Sequence, residues 1–415
     1  MQLGRALRHR NYRLFFFGQG ISVIGTWLTR FATTWMAYRL SGSAVVLGLV
    51  GFFNWAPTAI IAPFAGVLID RWDRHRALVA TQIAAMLQSV ALATLALGGW
   101  MTISALIALG AVQAVINAFD MPARQSYVQY MIEDRADLPN AIALNSSLIN
   151  VARLIGPVIA AALVATVGEG WCFTIDAVSY VAVLGSLLAM RVSRRPPLRV
   201  RKHVAAELRD GISYVWHTPV VRTVLLLLAA SSVLGGAYNT LLPLIAADTL
   251  GGGPHTLGWL MAAAGLGALV GVLYLAARSS VVGLGRVLAR CAFALGAGLA
   301  ALELATETYI AVPIMFVIGA SIIMQIAATN TIVQTVVDED KLGRVMSLYA
   351  VAIFGASPIG ALAEGALAAR IGVVHTFLIA GLLCMTCAIA FAVALPRLRA
   401  ASRPLYVRLG LLEDV

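Results

Sequence analysis

The segment GVLIDRWDRHR, residues 66–76, joins two long uncharged stretches and decides how the chain folds. Residues 43–69 carry no charged side chain, and neither do residues 77–118. A helix needs about 20 apolar residues to cross the roughly 30 Å hydrocarbon layer of a bilayer. The segment is therefore a short hinge between two membrane-length helices. Its arginines place it in the cytoplasm, because short cytoplasmic loops carry an excess of Lys and Arg.

The whole chain is too apolar for a soluble protein. Of its 415 residues, 60% are hydrophobic and 12% are charged, and the mean hydropathy is +0.87. In soluble domains charged residues are about a quarter of the total. Charges and turn residues divide the chain into twelve stretches of membrane length, which predicts an all-α polytopic membrane protein. These lie near residues 13–38, 43–69, 77–98, 101–127, 140–167, 170–190, 223–248, 256–277, 286–304, 308–332, 345–369 and 374–395.

The net charge of +11 does not require a nucleic acid as partner. Of the 30 Lys and Arg residues, 26 fall in the N-terminus, the loops that twelve crossings place in the cytoplasm, the central linker and the C-terminal tail. This bias predicts that both termini lie in the cytoplasm. We expect a multi-pass membrane protein that contacts anionic lipid at the cytoplasmic face and has no nucleic-acid partner.

The sequence repeats itself at about half its length. SVIG at 22–25 returns as SVLG at 232–235, and LG at 47–48 returns at 257–258. An even number of crossings preserves orientation, so the repeat predicts two six-helix pseudo-repeats around a central cavity. The predicted domains are an N-terminal bundle, 1–195, a cytoplasmic linker with an amphipathic helix, 196–222, and a C-terminal bundle with a cytoplasmic tail, 223–415. A fully solvated linker is the alternative.

Together the hinge, the crossings and the repeat resemble the major facilitator superfamily. Its signature between helices two and three is Gly-x-x-x-Asp-Arg-x-Gly-Arg-Arg; Gly66, Asp70, Arg71 and Arg74 match it, with Asp73 in place of the second Gly. The variant hinge, FDMPARQ at 119–125, NVARLIGP at 150–157 and FTIDAVSY at 173–180 resemble the secretion-effector branch, which includes siderophore (enterobactin-like) and macrolide exporters. The resemblance implies a secondary active exporter of a small amphipathic molecule, such as a siderophore, macrolide or other drug-like compound. It also implies alternating access coupled to proton antiport. The expected protein is then a monomer in the bacterial cytoplasmic (inner) membrane with a small-molecule substrate.

Other functions fit the sequence less well. A lysophospholipid flippase or a small-molecule importer would share the architecture, and a channel or a structural membrane protein is a remote alternative. An enzyme is not expected, because the only lysines, Lys202 and Lys341, lie in no phosphate-binding loop. The six histidines show no paired metal-ligand spacing, so no metal is expected. We expect no cofactor, with a proton gradient as the energy source.

The resemblance assigns the hinge to gating. It implies that Asp70 caps the N-terminus of the eleventh helix, near residues 343–347. We expect Arg71 or Arg74 to pair with Asp120 at the cytoplasmic end of the fourth helix. The alternative is that the arginines only fix topology and contact anionic lipid. The predicted gating residues are Gly66, Asp70, Arg71, Arg74, Arg76, Asp120, Arg124, Arg153, Gly156 and Pro157.

Ionisable side chains inside the membrane are candidate functional residues, because a charge there costs at least about 2.5–3.5 kcal/mol. Arg30 lies about 25 Å beyond Arg13 along the first helix, and the resemblance places it towards the cavity. A partner such as Asp176, or a snorkelling position, is the alternative. Asp176 and Glu364 are the predicted proton-coupling residues, although structural pairing is favoured for Asp176 and a solvated carboxylate is equally open for Glu364. The predicted substrate-binding residues are Arg30, Gln19, Trp27, Asn54, Trp55, Gln113, Asn117, Tyr238, Asn239, Gln325 and Asn330.

Overall fold

The computed structural model describes residues 4–190, 204–236, 238–278 and 281–408. Within these ranges, the side chains of residues 63, 67, 70, 71, 129, 135, 204–208 and 401–408 lie outside the description. Every regular element in the described ranges is a helix. This confirms the predicted all-α class.

Six long helices form the first part of the chain: α1 Arg10–Ser41, α2 Ala44–Arg71, α3 Arg74–Leu97, α4 Ile103–Met131, α5 Leu138–Thr166 and α6 Glu169–Ala189. The remaining helices are α7 Val204–His217, α8 Pro219–Gly235, α9 Tyr238–Leu244, α10 Pro254–Ala276, α11 Leu284–Ala301, α12 Thr308–Val336, α13 Glu339–Ala350, α14 Ala356–Ile371 and α15 Val373–Arg408. One turn of π-helix, Ile245–Thr249, continues α9, and another, Val351–Gly355, joins α13 to α14.

Eleven helical stretches of the described chain are long and apolar enough to cross a membrane. One of them, Pro219–Thr249, combines α8 with α9, and another, Glu339–Ile371, combines α13 with α14. The prediction of twelve crossings is therefore not exact. The predicted crossing outside this set is α1, whose 32 residues are long enough. Its polar residues, Gln19 and Arg30 among them, dilute its apolar character.

Contacts divide the chain into two compact units. Unit 1 comprises Met1–Gly42, Phe53–Lys202 and Gly252–Ala262; unit 2 comprises Ser43–Phe52, His203–Gly251 and Ala263–Val415. Helix α2 therefore starts in unit 2 and continues in unit 1, whereas α10 starts in unit 1 and continues in unit 2. The domain limits predicted at residues 195 and 222 stay a prediction.

Unit 1 is built around α1 and α6. Helix α1 packs against α5 and α6, and α3 packs against α4 and α6. Tyr12, Leu78 and Val183 belong to its buried core. Where α1 ends and α6 begins, Arg39 donates two hydrogen bonds to the buried carboxylate of Glu169, at 2.7 and 3.2 Å. Such a bidentate pair fixes the geometry of two helix ends.

Unit 2 has its core between α8, α11, α12 and α15. Helix α11 packs against α12 and α15, and α8 packs against α14 and α15. Helix α7 lies within the predicted linker and contacts α13, where the Tyr214 hydroxyl donates to Asp338 at 3.3 Å. Burial raises the pKa of Tyr214 above its ordinary value. That α7 lies on the cytoplasmic leaflet stays a prediction.

The repeated Leu-Gly pair marks the same kind of close helix contact in both units. In unit 2, a Cβ added to Gly48 of α2 would lie 2.6 Å from the carbonyl oxygen of Ala361 in α14. In unit 1, a Cβ added to Gly258 of α10 would lie 2.5 Å from the Cβ of Ala161 in α5. Small residues let membrane helices approach closely. The sequence repeat therefore corresponds to a structural repeat at the start of α2 and α10.

We predict that Gly48→Ala destabilises the protein. The added methyl group would meet a backbone oxygen that cannot swing aside, so α2 and α14 must separate, at a cost of roughly 1–3 kcal/mol. Gly66→Ala on the same helix is the matched control, because a Cβ at Gly66 has no heavy atom within 4 Å. Thermal unfolding in detergent should show a lower midpoint for Gly48→Ala and an unchanged or higher one for Gly66→Ala. Equal midpoints would contradict the contact.

Candidate functional site

Arg30 lies between two indole rings in unit 1. Its guanidinium carbon is 5.1 Å from the ring centre of Trp27 and 5.0 Å from that of Trp55. Arg30 is about 16 Å from the end of α1 at Ser41, and Trp55 is about 16 Å from the start of α2 at Ala44. The two residues therefore meet at the same depth within their helices. Arginine and tryptophan attract each other in this geometry because the ring face is electron-rich.

The Arg30 guanidinium has no acidic partner in the described part of the chain. Among the described side chains, no Asp or Glu forms an ion pair with Arg30, and the residue is exposed. The alternative partner, Asp176, forms its hydrogen bonds with Thr29 and Ser89 instead. Arg30 is therefore an exposed cation at mid-helix whose guanidinium has no acidic partner among the described side chains. This arrangement suits a group that binds an incoming anion.

A second guanidinium contacts the same indole. The guanidinium carbon of Arg153 in α5 is 5.5 Å from the ring centre of Trp27. One helical turn later, a Cβ added to Gly156 would lie 2.4 Å from the Cβ of Trp27, so only glycine lets α5 come this close to α1. Pro157 is buried beside Gly156. We call Arg30, Arg153, Trp27 and Trp55 the arginine–tryptophan cluster; the gating role of Arg153, Gly156 and Pro157 stays a prediction.

Four other predicted substrate-binding residues of unit 1 are amides. The Asn54 oxygen lies against Gly110 of α4, where it leaves no room for a Cβ. Gln113 donates to Asn117 at 3.1 Å along α4, and both are half-buried. Gln19 is only 2% exposed and its oxygen has no hydrogen-bond partner among the described residues. Gln19 therefore lies within the helix packing, whereas Asn54 adjoins Trp55 of the cluster.

Asp176 joins three helices of unit 1. Its Oδ2 accepts hydrogen bonds from Thr29 of α1 at 2.8 Å and from Ser89 of α3 at 2.7 Å, while Asp176 itself belongs to α6. The residue is 2% exposed. A buried carboxylate that receives two hydroxyl donors from neighbouring helices stabilises their packing. The geometry therefore favours the structural interpretation over proton coupling.

The predicted residues of unit 2 occupy different environments. Gln325 of α12 is 2% exposed and donates to Ser231 of α8 at 2.9 Å, so it holds two helices together. Asn330 accepts a hydrogen bond from Gln334 one turn later in α12. Tyr238 is buried, whereas Asn239 is exposed.

Glu364 is a buried carboxylate in α14 of unit 2. It is 5% exposed, and neither of its oxygens has a hydrogen-bond partner among the described residues. Ala361 and Gly365, one turn before it and one residue after it, both contact the start of α2 at Gly48. A buried carboxylate without a donor is expensive when ionised. Glu364 therefore differs from Asp176 in having nothing in the described chain to stabilise its charge.

The described side chains of the hinge contact helix α4 in unit 1. Trp72 stacks on Phe119 with ring centres 6.2 Å apart, and the Asp73 carboxylate accepts from the Arg76 backbone N–H at 3.1 Å, which caps α3. Arg74 lies over the Tyr130 ring at 5.2 Å and bonds its hydroxyl. The Arg76 side chain is exposed. The predicted roles of Asp70 and Arg71 fall on side chains outside the described ones.

Asp120 has partners other than Arg74. It accepts from Thr81 at 3.0 Å and from Gln82 at 2.6 Å, and it forms an ion pair with Arg124 one turn away. The described contact of the Arg74 side chain is with Tyr130, and the side chain of Arg71 lies outside the described ones, so the expectation that Arg71 or Arg74 pairs with Asp120 stays a prediction. Arg124, a predicted gating residue, pairs with Asp120 within α4.

Sequence reasoning missed several of these contacts. Thr29 and Ser89 looked like ordinary polar residues of apolar helices, and Tyr130 carried no signal. The Arg39–Glu169 pair had a weak sequence signal, because both residues fall at predicted helix ends on the same side of the membrane. No sequence pattern indicates that Trp27 contacts two arginines, because one of them is more than 100 residues away.

Comparison with known protein families identifies the family of this chain. The profile of the transmembrane secretion effector family matches residues 5–407. The chain belongs to this family. The predicted resemblance is thereby confirmed, and the chain is a multi-pass membrane transporter and not an enzyme.

Relatives of this chain carry the names of transporters. It is 26% identical over 384 residues to the staphyloferrin A transporter of Staphylococcus aureus, covering 90% of this chain and 94% of the relative. It is 24% identical over 400 residues to macrolide efflux protein A of Streptococcus pyogenes, covering 92% and 96%. It is 26% identical over 403 residues to the multidrug efflux pump Tap of Mycolicibacterium fortuitum, covering 93% and 95%.

Solved structures show the same fold. The nucleoside transporter NupG superimposes with a TM-score of 0.73 at 13% identity, covering 94% of this chain and 99% of that one. A peptide transporter, POT, superimposes with a TM-score of 0.76 at 12% identity, covering 94% and 95%. At these identities the likeness concerns the fold alone.

We predict that Asp176→Ala destabilises the protein by roughly 1–3 kcal/mol, because two buried hydroxyl groups lose their acceptor. Asp176→Asn keeps an acceptor oxygen and should retain most of the stability. Thermal unfolding in detergent measures both variants. If Asp176→Asn unfolds as readily as Asp176→Ala, or folds normally but transports nothing, the carboxylate does more than join α1, α3 and α6.

Proposed function

We propose that this protein exports a small amphipathic molecule from the bacterial cytoplasm, by alternating access coupled to proton antiport. Its family and the names of its relatives, which include a siderophore transporter, a macrolide efflux protein and a multidrug efflux pump, support export. The observation that carries the proposal is Arg30, a cation at mid-helix that lies between two indoles and has no acid partner among the described side chains. An ionisable residue placed so deep in a membrane helix marks a substrate or ion pathway.

The arginine–tryptophan cluster suits an amphipathic substrate. The indole faces of Trp27 and Trp55 offer apolar area for a ring or a hydrocarbon group, and Arg30 offers hydrogen-bond donors in a planar fork. Asn54 lies next to Trp55 in sequence and adds an amide. Ligand pockets commonly combine apolar walls with a few polar groups that fix orientation.

Two helices support alternating access. Both α2 and α10 begin in one unit and continue in the other, and each begins with a glycine in close contact with a neighbouring helix. In transporters built from repeats, such helices let one half rock against the other. We propose that the hinge at residues 66–76 closes the cytoplasmic side, as its resemblance to the superfamily signature implies.

Glu364 is our candidate for proton coupling. A proton carrier needs a site where the charged and neutral forms are both accessible during the cycle. Glu364 is buried and lacks a hydrogen-bond donor among the described residues, whereas Asp176 receives two. We therefore assign Glu364 to coupling and Asp176 to helix packing.

The surroundings of the transporter follow from the charge pattern. We propose that both termini lie in the cytoplasm and that the basic loops contact anionic lipid there. The protein acts as a monomer, needs no cofactor and uses the proton gradient as its energy source. Neither a nucleic acid nor a metal takes part.

Transport by purified protein in liposomes tests the function. Three labelled probes, a macrolide, a siderophore and a lysophospholipid, are offered with and without an imposed proton gradient. We expect the gradient to drive uphill movement of the macrolide or the siderophore. Movement that only ever runs downhill would indicate a facilitator, movement of the lysophospholipid alone a flippase, and single-channel currents a channel.

We predict that Glu364→Gln abolishes uphill transport and retains downhill exchange, because glutamine keeps the size of the side chain but cannot release a proton. Glu307→Gln, the same change at an exposed residue before α12, is the control and should leave both modes intact. Uphill transport at the parent rate by Glu364→Gln would exclude Glu364 as the coupling residue.

A further inference from the structure

We infer that Arg286 and Arg290 of α11 and Arg397 of α15 form a binding site for one phospholipid whose head group carries two phosphates. All three residues are exposed and belong to unit 2, and we call them the unit 2 arginine cluster. The site is more specific than the contact of basic loops with anionic lipid proposed above, because it selects the lipid by its head group. It does not depend on export.

Close packing brings α11 and α15 together at this cluster. A Cβ added to Gly285 of α11 would lie 2.7 Å from Cδ1 of Leu395 in α15, so the helices touch one residue before Arg286. Arg286 is near enough to Arg399 of α15 for the two positive charges to repel each other. Arg290 follows Arg286 by one helical turn and therefore shares its helix face. The positive charges of the two helices thus gather at one end of unit 2.

The described chain supplies no acid to balance this charge. The sequence contains no Asp or Glu between Asp248 and Glu303, and none between Glu364 and Glu413, so neither helix carries an acid near the cluster. Among the described side chains, none of the three arginines of the cluster forms an ion pair. By contrast, the hinge of unit 1 carries two aspartates beside its three arginines. The charge of the cluster is therefore available to an anion from outside the chain.

The depth of the arginines indicates that this anion is a lipid head group. The apolar stretch Leu284–Leu304, which begins with α11, has 21 residues and is just long enough to cross the hydrocarbon layer. Arg290 lies about 9 Å along the axis from the start of this stretch. A charge at this depth is costly unless it reaches the membrane surface, which the long side chain of arginine allows. Arg397 lies about 36 Å from the start of α15, at the edge of the same layer.

Exposed apolar side chains continue the cluster towards the middle of the membrane. On α11, exposed Phe293 follows Arg290 by about one turn on the same face. On α15, exposed Val393 and Ile389 precede Arg397 by one and two turns. A phospholipid has the same order, with a charged head group at the surface and acyl chains beneath it. Each helix therefore offers both parts of a lipid site.

Two phosphates suit the cluster better than one. Two of its arginines come from α11 and one from α15, and each guanidinium can form paired hydrogen bonds with phosphate oxygens. A head group with two phosphates can contact both helices at once. It then gains from all three arginines and reduces the repulsion between their positive charges. Basic pockets between membrane helices bind head groups of this kind.

Lipid binding to the purified full-length protein tests the inference. Native mass spectrometry measures the affinity of the first bound lipid for three probes: cardiolipin, which has two phosphates, phosphatidylglycerol, which has one, and phosphatidylcholine, whose net charge is zero. We expect cardiolipin to bind about fivefold more tightly than phosphatidylglycerol, because each basic side chain near a membrane surface adds roughly that factor. Phosphatidylcholine should bind more weakly than either.

Paired variants assign the preference to the cluster. Arg286→Gln combined with Arg290→Gln should abolish the preference for cardiolipin over phosphatidylglycerol, and Arg397→Gln should reduce it. Arg10→Gln combined with Arg13→Gln is the matched control, because both are exposed arginines near the start of α1 in unit 1. This control should keep the preference of the parent. Lysine at positions 286 and 290 keeps the charge and should retain part of the preference, so the test holds even if the glutamine variant does not fold.

Several results would overturn the inference. Equal affinities for cardiolipin and phosphatidylglycerol would do so, and so would a preference that survives the double change at Arg286 and Arg290. Loss of the preference in the Arg10 and Arg13 control as well would indicate a general attraction between basic helix ends and acidic lipid. Displacement of cardiolipin by inorganic pyrophosphate at equal concentration would identify a soluble anion as the ligand. The assay needs no substrate and no gradient, so a failure here leaves the proposed export untouched.

Discussion

A hydrocarbon layer contains no water to satisfy a polar group, so each charge within it must find a partner in the protein or serve a purpose. Two buried carboxylates of unit 1 meet the first condition. Asp176 accepts hydrogen bonds from hydroxyl groups on two helices, and Glu169 accepts two hydrogen bonds from Arg39. These pairs fix how α1, α3 and α6 pack in unit 1. Two exceptions are Arg30 in unit 1 and Glu364 in unit 2, whose charged groups form neither a hydrogen bond nor an ion pair with a described side chain.

The exceptions are of opposite sign and lie in different units. Arg30 is a cation between two indole rings and is accessible to a ligand, whereas Glu364 is a buried acid that lacks a hydrogen-bond donor in the described chain. In an antiporter, one group must recognise the substrate and another must exchange a proton. Dividing these tasks between two residues lets the substrate site stay charged throughout the cycle. The family and the names of the relatives support export, and the two residues suggest how it works.

The sequence was sufficient to predict the fold because a membrane allows few architectures. Uncharged stretches bounded by arginines predicted the helices, and the Leu-Gly repeat predicted a correspondence that appears as close contacts at Gly48 and Gly258. The predicted count of twelve crossings is not exact, because α1 carries polar residues that a membrane helix usually lacks. Arg30, one of these polar residues, is also the main functional signal.

Pairings between helices were predictable only in part. Sequence spacing shows which residues share a helix face, but it does not show which helix lies opposite. The contact of Arg74 with Tyr130 carried no sequence signal, and Gln325, expected at the substrate, donates a hydrogen bond from α12 to α8. The contact between Arg153 and Trp27 depends on the missing side chain of Gly156, which only a structure reveals.

The most direct test is an electron cryo-microscopy map of the protein in nanodiscs with a transported substrate bound. Our account predicts density for the substrate against Trp27 and Trp55 and within hydrogen-bond distance of the Arg30 guanidinium. A carboxylate of the protein itself paired with Arg30, or a substrate bound at another place in the chain, would contradict it.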